Sequence, residues 1–293
     1  MTRIKENYID QRNLKHLVEQ AIGQRYFDLT IPEYARCTQQ LFSEPELESF
    51  RNFKDWLSEK DKRLRIATSG SWRNINQEVV DDNAKATRYI LSRGFGVLHG
   101  QAIGSDFIST EVALDEILKN RHIPADYLML VLPAQKLVYM ERLSQAATEE
   151  DEFVRTQATS LNSQLRWIDE RYPEIIFDNY APAHIDEDRF LHLNEHDYRK
   201  DIYHWRNNLI AFAADGMVAF RTNDSGGVFD NYKKILDLRR PVLVQEYSIT
   251  TQETIDDYDH LKIPGVPKRC YENSSLPPPL IPQALHDSGE LTI

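Results

Sequence analysis

The spacing of apolar residues changes near residue 63. Before that point it is helical: Leu14, Leu17, Val18, Ala21 and Ile22 recur on one face, and Leu47, Phe50, Phe53, Trp56 and Leu57 on another. Ser43-Glu44-Pro45-Glu46 has the spacing of a capping box, with its proline in the tolerant first turn. Residues 1–61 therefore read as a helical extension. Its apolar stripes are expected to pack on the rest of the chain or on a second subunit, because such stripes are rarely left in water.

Beyond residue 62 the apolar residues come in short runs. Segments 64–68, 95–98 and 127–132 read as strands, separated by helical patterns at 77–92 and 105–119. The stretch 134–196 is less regular: a long polar helix at 148–171 carries Phe153, Leu161, Leu165 and Ile168, and 172–196 reads as loop-rich. The alternation then resumes with a helix at 197–214, a strand at 216–220, a helix at 226–238 and a strand at 241–244. Strands alternating with helices imply right-handed crossovers and a parallel sheet. The expected fold is thus α/β: a Rossmann-like parallel sheet with flanking helices over 62–248, interrupted by a divergent insert at 134–196. Residues 249–293, with Pro277-Pro278-Pro279, read as an extended Pro-rich tail.

Charge and composition narrow the function classes. The net charge is −11, which opposes bulk nucleic-acid binding, since that needs a basic surface to release counterions. No apolar run approaches the roughly 20 residues of a membrane span, and the first residues have no secretory h-region. The 2 cysteines, Cys37 and Cys270, are far apart and lack metal-type spacing. A cytoplasmic protein without a membrane partner, and able to form a homo-oligomer, is the expectation. His192 and His196 stand in the order H-L-N-E-H rather than H-E-x-x-H, so no metal site is expected there. The acidic run at 149–152 reads as a helix-start cap.

Candidate chemistry lies where predicted strands end. In open α/β sheets ligands bind beyond the carboxyl ends of the strands, where strand order reverses. Three such ends are rich in small residues: Ser69-Gly70-Ser71-Trp72-Arg73, His99-Gly100-Gln101-Ala102-Ile103-Gly104-Ser105-Asp106, and Asn223-Asp224-Ser225-Gly226-Gly227. Glycine lets backbone approach a ligand closely, and the free N–H groups of a helix start attract phosphate. Serine hydroxyls add donors, and Arg73 can pair with an anion as a fork. His99, at a strand end, reads first as a turn-stabilising residue and second as an acid or base.

The motifs occur in a family-like order: S-G-S-x-R, then R-G-F-G-V-L-H-G-Q-A-I-G-S-D, then W-R-N-N-L-I-A-F-A-A-D-G-M-V-A-F, then S-G-G-V, then R-R-P-V-L-V. This resembles the superfamily that joins the Smf/DNA-processing-protein-A proteins with the Lonely Guy (lysine decarboxylase-like) phosphoribohydrolases. The resemblance covers 62–248 and implies a Rossmann-like domain that binds nucleotides or their phosphates. It places Gly70, Ser71 and Arg73 in a first phosphate loop and Gly100, Gly104 and Asp106 in a second Gly-rich turn. It also makes Arg206 and Asn207 the family's Arg-Asn pair, and Ser225, Gly226 and Gly227 its last glycine loop. The phosphoribohydrolase branch ends P-G-G-x-G-T-x-x-E, and its Glu carries catalysis; here Asn231 falls in that place, and Asn cannot act as a carboxylate.

The leading expectation is a pocket for a nucleotide or nucleoside phosphate, serving a ligand sensor or a non-standard enzyme. Its ligand-binding residues would be Ser69, Gly70, Ser71, Arg73, His99, Gly100, Gly104, Ser105, Asp106, Arg206, Asn207, Ser225, Gly226 and Gly227. No cofactor is expected beyond the nucleotide ligand. The alternative is N-glycosidic bond hydrolysis of a nucleoside monophosphate, with Arg206, Asp106 and Asp230 as candidate catalytic groups. The third reading is a single-stranded-DNA-binding accessory protein, which the charge disfavours.

Overall fold

A computed structural model describes residues 9–23, 29–60, 62–73, 75–120, 122–148, 152–179, 196–223, 225–249 and 268–271. The order of elements is three helices, α1 (Gln11–Gly23), α2 (Ile31–Thr38) and α3 (Glu44–Ser58), then β1 (Arg65–Gly70), α4 (Gln77–Ser92), β2 (Gly96–His99), α5 (Ser105–Lys119) and β3 (Leu128–Val131). There follow α6 (Lys136–Ala146), α7 (Glu152–Arg171), β4 (Ile176–Phe177), α8 (His196–Ala213), β5 (Gly216–Thr222), α9 (Gly226–Asp237), β6 (Val242–Ile249) and β7 (Lys268–Tyr271).

The strands form one 7-stranded sheet in the order β4-β3-β2-β1-β5-β6-β7, and every pairing is parallel. The fold is α/β and Rossmann-like. Strand order reverses between β1 and β5, so the switch point lies beyond the carboxyl ends of this pair. Right-handed crossovers put α4 and α5 on one face and α8 and α9 on the other. With both faces covered, central strands need apolar side chains throughout. Ile66, Ala67, Met217, Val218, Ala219 and Phe220 accordingly have no exposed surface.

The first helices belong to this core. α1 packs on α4 and on β5 and β6, while α3 meets α8 and α2 meets α9. Tyr34, Phe50, Trp205 and Phe212 form an aromatic cluster, with centroids 5.3 Å apart for Phe50 and Trp205 and 5.7 Å for Tyr34 and Phe212. The Tyr34 hydroxyl donates to Asn208 Oδ1 at 3.0 Å. Both partners of the Ser43–Glu46 capping box are present, as the spacing predicts.

Three elements differ from the sequence expectation. α6 lies in a stretch without a helical forecast, and its first N–H, on Lys136, donates to Asp178 Oδ1 at 2.6 Å. That cap comes from 42 residues away, so local sequence does not carry it. β4 has only 2 residues, too few to show a period. Lys268–Tyr271, within the expected tail, is extended because it pairs with β6. The Pro277-Pro278-Pro279 run, His192 and most of the acidic run at 149–152 lie outside the described residues.

Candidate functional site

Ser71 is the stitch at the switch point. Its N–H donates to the Phe220 carbonyl at 3.1 Å. Its Oγ accepts from the Thr222 N–H at 2.9 Å and lies 3.3 Å from the Thr222 carbonyl. The first and third loops are thereby fixed side by side at the ends of β1 and β5. The Ser71 carbonyl also accepts from the Ser105 N–H at 3.3 Å, which ties in the second loop. Glycine is required at these contacts: a Cβ on Gly70 would overlap the Ser105 side chain. One on Gly104, at φ +86°, would lie 2.7 Å from the Ser71 carbonyl oxygen and 2.7 Å from Trp72 Cα.

The second loop is closed on itself. Asp106 Oδ2 accepts from the N–H groups of Gly100 and Ala102, each at 3.2 Å. Burial pushes the Asp106 carboxyl up to about 6, against the pull of Arg206 and the two amides. His99 has no exposed surface. Its Nδ1 accepts from the Gln101 N–H at 3.2 Å, so the proton sits on Nε2, which lies 3.2 Å from Thr110 Oγ1. Thr110 donates to Gln101 Oε1 at 2.7 Å and Gln101 Nε2 to Gln164 Oε1 at 2.6 Å; Gln164 Nε2 then donates to Glu111 Oε1. This chain runs one way, from imidazole to carboxyl. Burial holds His99 down to about 3 and Glu111 up to about 8. His99 is a neutral, interior turn residue, and its ring nitrogens face protein. Gln101 sits at φ 50°, a left-handed conformation that side chains rarely take, held by these bonds and by the Tyr139 hydroxyl on its carbonyl at 2.7 Å.

α8 joins the second loop to α9. Arg206 Nη1 donates to the Gly100 carbonyl at 2.7 Å and Nη2 to Asn207 Oδ1 at 3.3 Å. A Cβ on Gly100 would overlap the guanidinium, so this glycine exists to let Arg206 lie across it. Arg206 Nε is buried with no partner. Asn207 Nδ2 donates to Asp230 Oδ2 at 3.2 Å. Asp230 also pairs with Lys234, and its other oxygen lies 3.6 Å from His204 Nδ1.

The third loop is the open one. Ser225 gives α9 no side-chain cap, and a Cβ on Gly227 would meet open space. Asn231, one turn in, donates to Ser69 Oγ at 3.1 Å, but its Oδ1 is buried without a partner. Thr222 Oγ1 and Thr68 Oγ1 are also buried and unpartnered. At the rim, the Arg73 guanidinium lies over the Trp72 ring, 4.1 Å from its centroid.

Of the residues read from the sequence, Ser69, Gly70, Ser71, Gly104 and Ser105 lie at the junction of the loops. Gly100 and Asp106 close the second loop, Arg206 on α8 lies across Gly100 with Asn207 beside it, and Ser225, Gly226 and Gly227 open α9. Asp106 and Asp230 are both engaged by protein donors, and Asn231 occupies the interior position beside Ser69. Sequence reasoning did not reach Thr68, Thr222, Gln164 or Glu111. Threonine at a strand's carboxyl end was the available signal for the first two.

Among the described residues no group of His, Cys, Asp or Glu could hold a metal ion, and no helix is long and apolar enough to cross a membrane. No protein-family model matches the sequence, and no curated protein matches it. One solved structure is similar in fold: DNA processing protein A from Helicobacter pylori, described for its single-stranded DNA binding mode. The similarity covers 70% of this chain and 75% of that one at 13% identity, with a TM-score of 0.39. A likeness at that level speaks of neither activity nor ligand.

Proposed function

We propose that this chain binds a nucleotide or nucleoside phosphate beyond the carboxyl ends of β1 and β5, with the amides of the α9 start receiving the phosphate. One observation carries the reading. Around the stitched loops, Asn231 Oδ1 and Thr222 Oγ1 are buried without protein partners, Ser225 gives the α9 start no side-chain cap, and a Cβ on Gly227 would meet open space. Buried polar groups without partners are rare in folded proteins and mark strain, function or an absent ion or ligand. An uncapped helix start favours an anion through its free N–H groups and dipole.

Binding is favoured over glycosidic hydrolysis. Hydrolysis needs a carboxylate that can reach the ligand. Asp106 Oδ2 is committed to the amides of its own turn, Asp230 is committed to Lys234 and Asn207, and Asn231 supplies no charge.

The test is native mass spectrometry of the purified chain, followed by calorimetric titration with nucleoside monophosphates and a single-stranded oligonucleotide at two salt concentrations. The expected result is saturable binding of a mononucleotide with weak dependence on salt. Steeply salt-dependent binding of the oligonucleotide alone would move the assignment to single-stranded DNA. Release of free base during titration would restore the hydrolase.

A further inference from the structure

We infer that the ligand carries a planar aromatic base, and that Trp72 with Arg73 forms the platform on which this base stacks. The inference rests on the phosphate-site reading above and adds to it the other end of the ligand.

Trp72 is 44% exposed, the only aromatic among the large exposed apolar residues described. The others are aliphatic: Ile22, Leu41, Leu118, Leu137 and Leu236. An exposed indole forgoes much of the free energy that burial of so large a surface would give. It is also held in place. Trp72 follows Ser71, which both neighbouring loops grip through its N–H, its Oγ and its carbonyl. The Trp72 Cα lies so near Gly104 that no side chain fits between them. Backbone contacts thus fix Trp72 at the rim of the switch point, where the residue stays partly exposed.

Arg73 adds a second planar surface. Its guanidinium lies over the Trp72 ring at 4.1 Å from the centroid, within the range of cation–π attraction. An exposed aromatic ring with a guanidinium over one face leaves its other face to stack a nucleobase without reading the base's edges. Inorganic phosphate or a bare sugar phosphate has no π-face to use it. The platform therefore selects base-bearing phosphates and discriminates little among bases.

The experiment compares adenosine monophosphate, uridine monophosphate and a ribose phosphate with no base, titrated into wild type, Trp72→Ala and Trp72→Phe. Wild type should bind both nucleotides more tightly than the ribose phosphate. Trp72→Ala should weaken the nucleotides about tenfold, from the worth of one base–aromatic stack, and leave the ribose phosphate unchanged. Trp72→Phe should recover most of the loss, and melting curves of all three proteins should coincide. Equal binding of the base-free phosphate and the nucleotides, unmoved by Trp72→Ala, overturns the platform while leaving the phosphate site standing. A parallel loss for all three ligands also overturns it, by making Trp72 a support of the loop. Failure of wild type to bind any of them removes the phosphate site itself.

Discussion

The second and third glycine loops end strands of the same sheet, carry two glycines each and precede a helix, yet they are built for opposite purposes. In the second loop each glycine makes room for protein. Gly100 admits the Arg206 guanidinium, and Gly104 admits the backbone of Ser71 and Trp72. The polar groups there are spent internally, on Asp106, His99 and the Gln101–Gln164–Glu111 chain. In the third loop, among the described residues, a Cβ on Gly227 would meet open space, and buried oxygens of Asn231 and Thr222 have no partner. A glycine after a strand thus signals close approach without saying of what. Its surroundings decide whether the visitor is the protein's own side chain or a ligand.

The strongest way to test this contrast is Gly104→Ala. The new methyl would meet two backbone atoms that cannot swing aside, at a positive φ that alanine resists. We expect a loss of about 3 kcal/mol of stability from the strained conformation and overpacking together. Urea titration measures it. An unchanged midpoint would mean that the second loop is not closed as described.

Next in size is Arg206→Ala. As one of the ligand-binding residues that the resemblance implies, Arg206 would be expected to matter to binding more than to the fold. The structure gives the guanidinium a structural post as well, on the Gly100 carbonyl. Removing it leaves that carbonyl without its charged donor, at about 1–3 kcal/mol. A lost charge-assisted contact to phosphate would cost a further tenfold to hundredfold in affinity. Calorimetry alongside melting curves separates the two. A fall in melting temperature with unchanged affinity would confine Arg206 to the closed loop.

The closed loop also has a pH signature. Glu111 is raised by burial from its ordinary 4.5 to about 8, so the folded state holds its proton more tightly than the unfolded chain. That contribution is complete below pH 4.5 and drains away as pH rises to about 8. His99 acts oppositely: its pKa falls from 6.5 to about 3, and its contribution is lost as pH drops through that interval. Asp106, raised from 3.8 to about 6, has lost its contribution by the upper end of that range. From pH 6.5 to 8, therefore, Glu111 acts alone among these three. Glu111→Gln keeps an acceptor for Gln164 and removes the ionisation. The variant should lose less stability than wild type across that interval, by about 1–2 kcal/mol. Parallel pH profiles for the two proteins would show that Glu111 does not ionise there.

The contrast between the loops explains what was legible in the sequence. The three strand-end motifs, the α4 and α5 boundaries and the Ser43–Glu46 cap are local patterns, and each stands where periodicity or capping residues put it. The interior of the second loop is not local. Gln101 meets Gln164 across 63 positions, and Gln164 meets Glu111 across 53. Nothing near His99 announces that both its ring nitrogens will be taken. Ser71 reads correctly as a loop serine, but its partner Thr222 lies 151 positions on. Asn231 is visible as a departure from the family's glutamate, while its bond to Ser69 depends on how α9 settles over β1.

The smallest change is the most discriminating, because its two effects carry opposite signs. Gly227→Ala adds a methyl where nothing lies within 4 Å, so it costs no overlap. In the first turn of α9 it also removes backbone freedom from the unfolded chain. Interior Gly→Ala changes stabilise helices by roughly 0.5–1 kcal/mol, and a first-turn position should give the lower end or less. The fold should therefore gain a few tenths of a kcal/mol, where the same change at Gly104 costs about 3 kcal/mol. If the α9 amides receive a phosphate, the methyl holds the ligand away from them, and affinity should fall severalfold in a protein that is slightly more stable. Melting curves and titration with adenosine monophosphate read the two effects on one sample. Unchanged affinity with raised stability would make the third loop an ordinary helix start, and the openness at Gly227 would then have no bearing on ligand.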